Sequence, residues 1–195
     1  MPPDRDDVPS ATTLAALLAA GASSRFADGH KLLADLRGAR LVDVTVATML
    51  AAAIGPAVVV TGAVDLDLAA DVEKVHNPRW AQGQATSMQC AIDAARRAGA
   101  TAIVVGLADQ PFVTVEAWRA VAASSAPIAV ASYEGRRGNP VRLHESVWHL
   151  LPTTGDEGAR ALMRVRPDLV EPVPCAGSAA DIDTLEDLQR WQSKS

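Results

Sequence analysis

With 195 residues, 49% of them hydrophobic and 21% charged, the chain is long enough for one buried core and too short for two ordinary domains with a linker. A formal net charge of −5, with 18 Lys and Arg scattered without a run, excludes the basic surface of a nucleic-acid or anionic-membrane binder. Cys90 and Cys175 make neither a disulfide framework nor a zinc site, so a reducing, cytoplasmic location is expected.

Met1 to Thr13 mixes acidic residues with prolines, lacks the basic start and apolar run of a signal peptide, and is expected to be a flexible tail. The domain is expected to run from Leu14 to Ser195. Its longest apolar stretch, Leu14 to Ala20, is far short of the ~20 residues that span a bilayer. Leu14 to Ala19 reads as a strand buried on both faces. Val42, Val46, Met49 and Leu50 recur at helical spacing, and Pro56 followed by Ala57 to Val60 restarts a strand, which makes a βαβ unit.

Asp71 to Val75 predicts another strand. A helix with Met88, Ala91, Ile92 and Ala95 on its apolar face follows, closed by Gly99. Ala102 to Leu107 is strongly strand-like, Thr114 opens a helix carrying Trp118 and Val121, and Ile128 to Ala131 is again strand. The pattern then changes. Gly135-Arg136-Arg137-Gly138-Asn139-Pro140 reads as a basic, turn-rich loop, and with short segments at Val147 to Leu151 and Ala159 to Met163 it predicts a substrate-facing flap. A strand at Leu169 to Val173 and a helix from Thr184 close the chain. Such alternation predicts a three-layer α/β/α sandwich with a mostly parallel, Rossmann-like sheet, whose ligands bind beyond the carboxyl ends of the strands.

The chemistry is expected where the first strand ends. Leu18-Ala19-Ala20-Gly21-Ala22-Ser23-Ser24-Arg25 is a small-residue loop whose backbone can approach an anion, with Arg25 and Lys31 close behind as phosphate-binding cations. Neither G-x-x-x-x-G-K-[ST] nor G-x-G-x-x-G is present, which removes the main support for an ATPase or a dinucleotide dehydrogenase. Asp109 follows a predicted strand and so falls at the sheet's carboxyl edge, where one or two carboxylates can begin a Mg²⁺ site. Asp183 has two open readings, a second metal ligand or a helix cap paired with Glu186; Thr184 with Asp187 is the competing capping box.

This loop resembles the L-A-A-G-x-S-x-R…K signature of the MobA-like nucleotidyltransferases, which include the molybdenum cofactor guanylyltransferases and cytidylyltransferases. Asn77-Pro78-Arg79-Trp80-Ala81-Gln82-Gly83 with Ser87, Leu107-Ala108-Asp109-Gln110-Pro111, Gly138-Asn139-Pro140, Gly155-Asp156-Glu157-Gly158-Ala159-Arg160 and Asp181-Ile182-Asp183-Thr184 resemble the cytidylyltransferase branch in the same order. The resemblance implies a nucleotide-diphospho-sugar transferase type of fold with Mg²⁺ or Mn²⁺ held by Asp109 and Asp183. It implies Leu18, Ala19, Ala20, Gly21, Asn77, Gly83 and Ser87 around the nucleotide. Gly138, Asn139 and Asp156 would serve the second substrate, with Arg136, Arg137 and Arg160 toward its phosphate.

The expected reaction moves CMP from CTP to the terminal phosphate of a molybdopterin-type cofactor and releases pyrophosphate, with a molybdenum hydroxylase as recipient of the product. Transfer to a sugar or polyol phosphate and non-catalytic cofactor binding are the alternatives. Three departures from the pattern are visible: Arg25 and Lys31 are six apart where five is usual, the glycine usual just after the Arg-hydrophobic pair appears only at Gly29, and Leu185 replaces a common proline.

Overall fold

The computed structural model describes residues 12–26, 29–68 and 72–192. In chain order it contains β1 (Thr13–Ala19), β2 (Asp35–Leu36), β3 (Ala39–Arg40), α1 (Leu41–Ala52), β4 (Ala57–Thr61), β5 (Glu73–His76) and α2 (Gln84–Arg97). After these come β6 (Ala102–Leu107), α3 (Val115–Ala122), β7 (Ile128–Tyr133), β8 (Arg136–His144), α4 (Glu145–Trp148), α5 (Ala159–Val165), β9 (Val170–Pro174) and α6 (Leu185–Gln192). Most of the expected tail lies outside the described residues, as does Asp71 of the third predicted strand. Among the described residues no helix is long and apolar enough to cross a membrane.

Seven strands form one sheet in the order β5-β4-β1-β6-β8-β7-β9. Every neighbouring pair is parallel except the two that involve β8, so the expected mostly parallel three-layer sandwich is what the chain adopts. Alternation along β1 shows why its sequence is continuously apolar. Ala15, Leu17 and Ala19 join the core that contains α1, α3 and α6, while Leu14, Ala16 and Leu18 join the core that contains α2, α4 and α5. A central parallel strand has no solvent face, so it needs no polar alternation.

The sheet grows outward from β1 in two directions, to β4 and β5 on one side and through β6 to the rest on the other. The loops after β1 and β6 therefore diverge and open a crevice between their carboxyl ends, the usual place for a ligand in a doubly wound sheet.

The basic segment at 135–140 departs from expectation: it is not a loop. Arg136 to Pro140 form the first half of β8, which is hydrogen-bonded to β7 through a tight turn at Glu134 and Gly135, both with positive φ (+50° and +81°). Its turn-like composition reflects a bulge. The register with β7 jumps from Val130 opposite Val141 to Ala131 opposite Gly138, leaving Asn139 and Pro140 unpaired. Residues 35–40 also hold a two-stranded hairpin that the apolar pattern does not reveal.

Gly106 of β6 faces the indole of Trp118 on α3, and a Cβ there would lie 2.5 Å from Cζ2 of that ring. Gly106→Ala is expected to destabilise the protein by ~1–3 kcal/mol, the usual cost of overpacking a core, as read by urea unfolding. An unchanged midpoint would show that Trp118 can move aside.

Candidate functional site

Beyond Ala19 the chain leaves the sheet as an open loop. Ala20 is buried beside Gly62, where a Cβ would come within 2.8 Å of the Ala20 Cβ and 2.7 Å of the Trp80 Cβ; only glycine lets these segments meet. The backbone amides of Ala22, Ser23, Ser24 and Arg25 donate to no acceptor among the described residues. Free amides in a small-residue loop are what an anion requires. His30 holds this loop. Its Nε2 lies 2.8 Å from the Gly21 carbonyl oxygen and 3.1 Å from Ser23 Oγ, and Ser23 takes a positive φ of +55°.

The one-residue longer spacing does not carry Lys31 away from the loop. Its ammonium lies 2.7 Å from Asp109 Oδ2 and 2.7 Å from Asp183 Oδ1, with only 13% of the side chain exposed. Arg25, far more open, reaches Asp183 Oδ2 at 2.9 Å. Backbone bonds set the two carboxylates together. Ala108 donates to the Leu18 carbonyl (3.0 Å), fixing the exit of β6 against β1, and Ile182 donates to the Asp109 carbonyl (2.9 Å), bringing Asp183 alongside. Burial lowers the Lys31 pKa, but the charges and hydrogen bonds of Asp109 and Asp183 outweigh it and raise the pKa above 10.5.

The capping question is settled by geometry. Thr184 Oγ1 accepts the Asp187 amide at 3.1 Å, and Asp187 Oδ2 accepts the Thr184 amide at 3.1 Å, a reciprocal box that opens α6. Asp183 makes no such cap and points at Lys31.

A cleft of about 630 Å³ collects Leu18, Ala19, Ala20, Gly21, Arg25 and Lys31 with Gly83, Ser87, Asp109, Asp156 and Asp183. Asn77 lies beneath it. This residue is fully buried, donates to Thr86 Oγ1 (2.8 Å) and Ser87 Oγ (3.0 Å), and accepts the Arg79 amide (2.9 Å), so it orients Ser87 and does not line the cleft. Gly83, at φ +102°, allows the 155–156 segment to close in: a Cβ would lie 2.5 Å from the Gly155 carbonyl oxygen. That approach puts Asp156 in this first cleft, away from the second-substrate residues with which it was grouped.

Next to it a second cleft of about 540 Å³ contains Gly138, Asn139, Arg137 and Arg160 over an apolar floor that includes Met88, Val105 and Val141. Arg136 is not among its lining residues. Gln84 and Leu107 line both clefts. Neighbouring residues separate between them: Asp109 faces the first and Gln110 the second, as do Asp183 and Asp181. Gln110, missed in the sequence, ties the second cleft together by donating to Asp181 Oδ1 (2.6 Å) and accepting from Asn139 Nδ2 (3.1 Å). Desolvation, then repulsion by Asp109 and Asp183, pushes the Asp181 carboxyl above its ordinary range against the opposing Gln110 hydrogen bond.

Residues 15–172 match the MobA-like NTP transferase domain. The chain belongs to that family. It is 33% identical over 202 aligned positions to a nicotine blue oxidoreductase of Paenarthrobacter nicotinovorans, covering 94% of this chain and 97% of that one. Among solved structures it resembles a Mycobacterium sp. strain JC1 homologue of the M. tuberculosis protein Rv0371c, at 25% identity, a TM-score of 0.79 and coverage of 94% and 96%. It shares the fold of Rv0371c in complex with manganese, at 24% identity, a TM-score of 0.73 and coverage of 94% and 100%.

The capping geometry separates two neighbouring aspartates. Asp187→Ala is expected to cost ~1 kcal/mol in chemical unfolding, whereas Asp183→Asn leaves the α6 cap intact; equal losses attributable to α6 fraying would contradict the assignment. A second expectation follows from the raised Lys31 pKa. Its stabilising contribution is fully present below pH 10.5, the unfolded value, and is lost as pH rises through the higher folded value. The stability gap between wild type and Lys31→Met is therefore expected to narrow as pH rises above 10.5, and a gap that widens there would reverse the sign.

Proposed function

We propose that the protein transfers CMP from CTP to the terminal phosphate of a molybdopterin-type cofactor, releasing pyrophosphate. The observation that carries this reading is the pair of adjoining clefts that share Gln84 and Leu107, one with loop amides that meet no acceptor among the described residues, two cations and three carboxylates, two of them ion-paired, the other with an apolar floor and arginines. The first suits a nucleoside triphosphate. The second suits a flat heterocycle carrying a phosphate, with Asn139 and Gln110 for polar ring edges and Arg137 and Arg160 for the anion.

The donor set fits a divalent ion. Asp109 Oδ1 is buried without a hydrogen-bond partner, both carboxylates converge on one point now held by the Lys31 ammonium, and among the described residues no third His, Cys, Asp or Glu completes a protein-only site. Two carboxylates completed by phosphate oxygens and water are the usual arrangement for Mg²⁺. Bound there, Mg²⁺ or Mn²⁺ would neutralise the triphosphate and the charge growing on pyrophosphate.

The chain's own groups account for the remainder. The amides of Ala22 to Arg25, with Arg25 and Lys31, hold the triphosphate; Ser87 and the Ala20 floor meet the nucleoside; Arg137 and Arg160 bring the acceptor phosphate alongside. That phosphate, with a second pKa near ~6, arrives largely dianionic, so the site needs no general base. Product would pass to a molybdenum hydroxylase, and the active protein would reside in the cytoplasm.

A redox reading comes second, on the printed name of the Paenarthrobacter relative. The apolar second cleft would then hold a heteroaromatic substrate, and its oxidation or reduction by a redox co-substrate would replace pyrophosphate release.

Full-length protein with CTP, Mg²⁺ and molybdenum cofactor is expected to release pyrophosphate, and Asp109→Ala to lower kcat at least ~100-fold, the scale of losing a main electrostatic element of a site. Absence of turnover with either Mg²⁺ or Mn²⁺, or transfer only to sugar or polyol phosphates, would overturn the acceptor. CTP should exceed GTP in kcat/KM by about 10–200-fold, the range one hydrophobic contact supplies, and Ala20→Gly should narrow the ratio. A native preference for GTP would overturn the choice of nucleotide.

A further inference from the structure

The Lys31 ammonium stands where a divalent ion would have to bind. It is 2.7 Å from each of two carboxylates on separate segments, and its side chain is only 13% exposed. With Arg25 on Asp183, the four side chains form a closed set of two anions and two cations. A metal arriving alone must displace an ammonium that then faces a dication at close range. A bare triphosphate must pull Lys31 and Arg25 away and leave Asp109 and Asp183 facing a polyanion. Each ligand alone re-pairs one sign of charge and leaves the other unpaired in a partly desolvated cleft, and that is where unpaired charge costs most.

We infer that the first cleft takes its metal only together with a triphosphate, and that Lys31 enforces this by exchanging partners, from the two carboxylates to the phosphates, in the same event that gives the carboxylates to the metal. The inference rests on the nucleotidyl-transfer reading for the triphosphate but on no step of turnover. After the exchange every charge is paired again. The open amides of Ala22 to Arg25 lie on the same loop as Arg25, so the phosphate sites to which the cations move are already built. The exchange also couples the two ligands energetically, each raising the other's affinity by the same factor, beyond their affinity for one another in solution.

The test titrates Mn²⁺ into full-length protein without nucleotide, reading free Mn²⁺ by its paramagnetic resonance signal. Lys31→Met is expected to bind Mn²⁺ at least tenfold more tightly than wild type; equal or weaker binding by the variant overturns the inference. Should that variant fail to fold, thermal melting of the wild type decides. Mn²⁺ alone and tripolyphosphate alone should each shift Tm little, and both together should shift it by clearly more than the sum, whereas additive shifts overturn the inference. Neither readout involves the acceptor or turnover, so failure to transfer CMP would leave this result standing, and the reverse.

Discussion

The site depends on one interaction, the bridging of Asp109 and Asp183 by Lys31. These carboxylates come from chain segments more than seventy residues apart, one at the end of β6 and one ahead of α6. Two like charges brought this close repel, and the Lys31 ammonium, 2.7 Å from each, offsets that repulsion. The rest of the first cleft is arranged around that point: the β1 loop with its free amides on one side, the entry of α2 on the other, and the backbone bond from Ile182 to Asp109 beneath.

Rigid elements deliver each of these pieces. Asp109 follows β6, which is buried from Ala102 to Gly106, the β1 loop departs from that strand's parallel neighbour, and Asp183 precedes a helix with its own reciprocal cap. Asn77 contributes from below by holding Ser87 through a buried network that also fixes the start of α2. Two clefts on either side of Asp109 and Gln110 then adjoin over Leu107 and Gln84, as the two substrates of the proposed transfer require. In the proposed transfer, catalysis by positioning and electrostatic stabilisation asks for this separation, because that reaction needs little proton chemistry.

Much of the fold is legible in the sequence because the central strands lie between two cores. Leu14 to Ala19 and Ala102 to Leu107 announce themselves as continuous apolar runs for that reason. The segment 136–140 does not, since its residues combine an exposed hairpin end with a bulge, and Gly, Asn and Pro serve both a bulge and a loop. In the site, Arg25, Lys31 and Asp109 follow from residue type and position after a strand. Asp183 could not be separated from a cap by spacing alone, because two overlapping boxes fit the sequence; only side-chain geometry shows that Asp187 performs the capping. His30 and Gln110 were missed because their partners, the Gly21 carbonyl and the Asp181 carboxylate, are distant in sequence or belong to the backbone.

A crystal structure with CTP and Mg²⁺ tests the central claim most directly. The account predicts one metal between Asp109 and Asp183, the triphosphate on the amides of Ala22 to Arg25, Lys31 turned from the carboxylates onto phosphate oxygens, and the cytosine over Ala20 near Ser87. A nucleotide seated in the second cleft, or a metal bound while Lys31 still bridges both carboxylates, would contradict it.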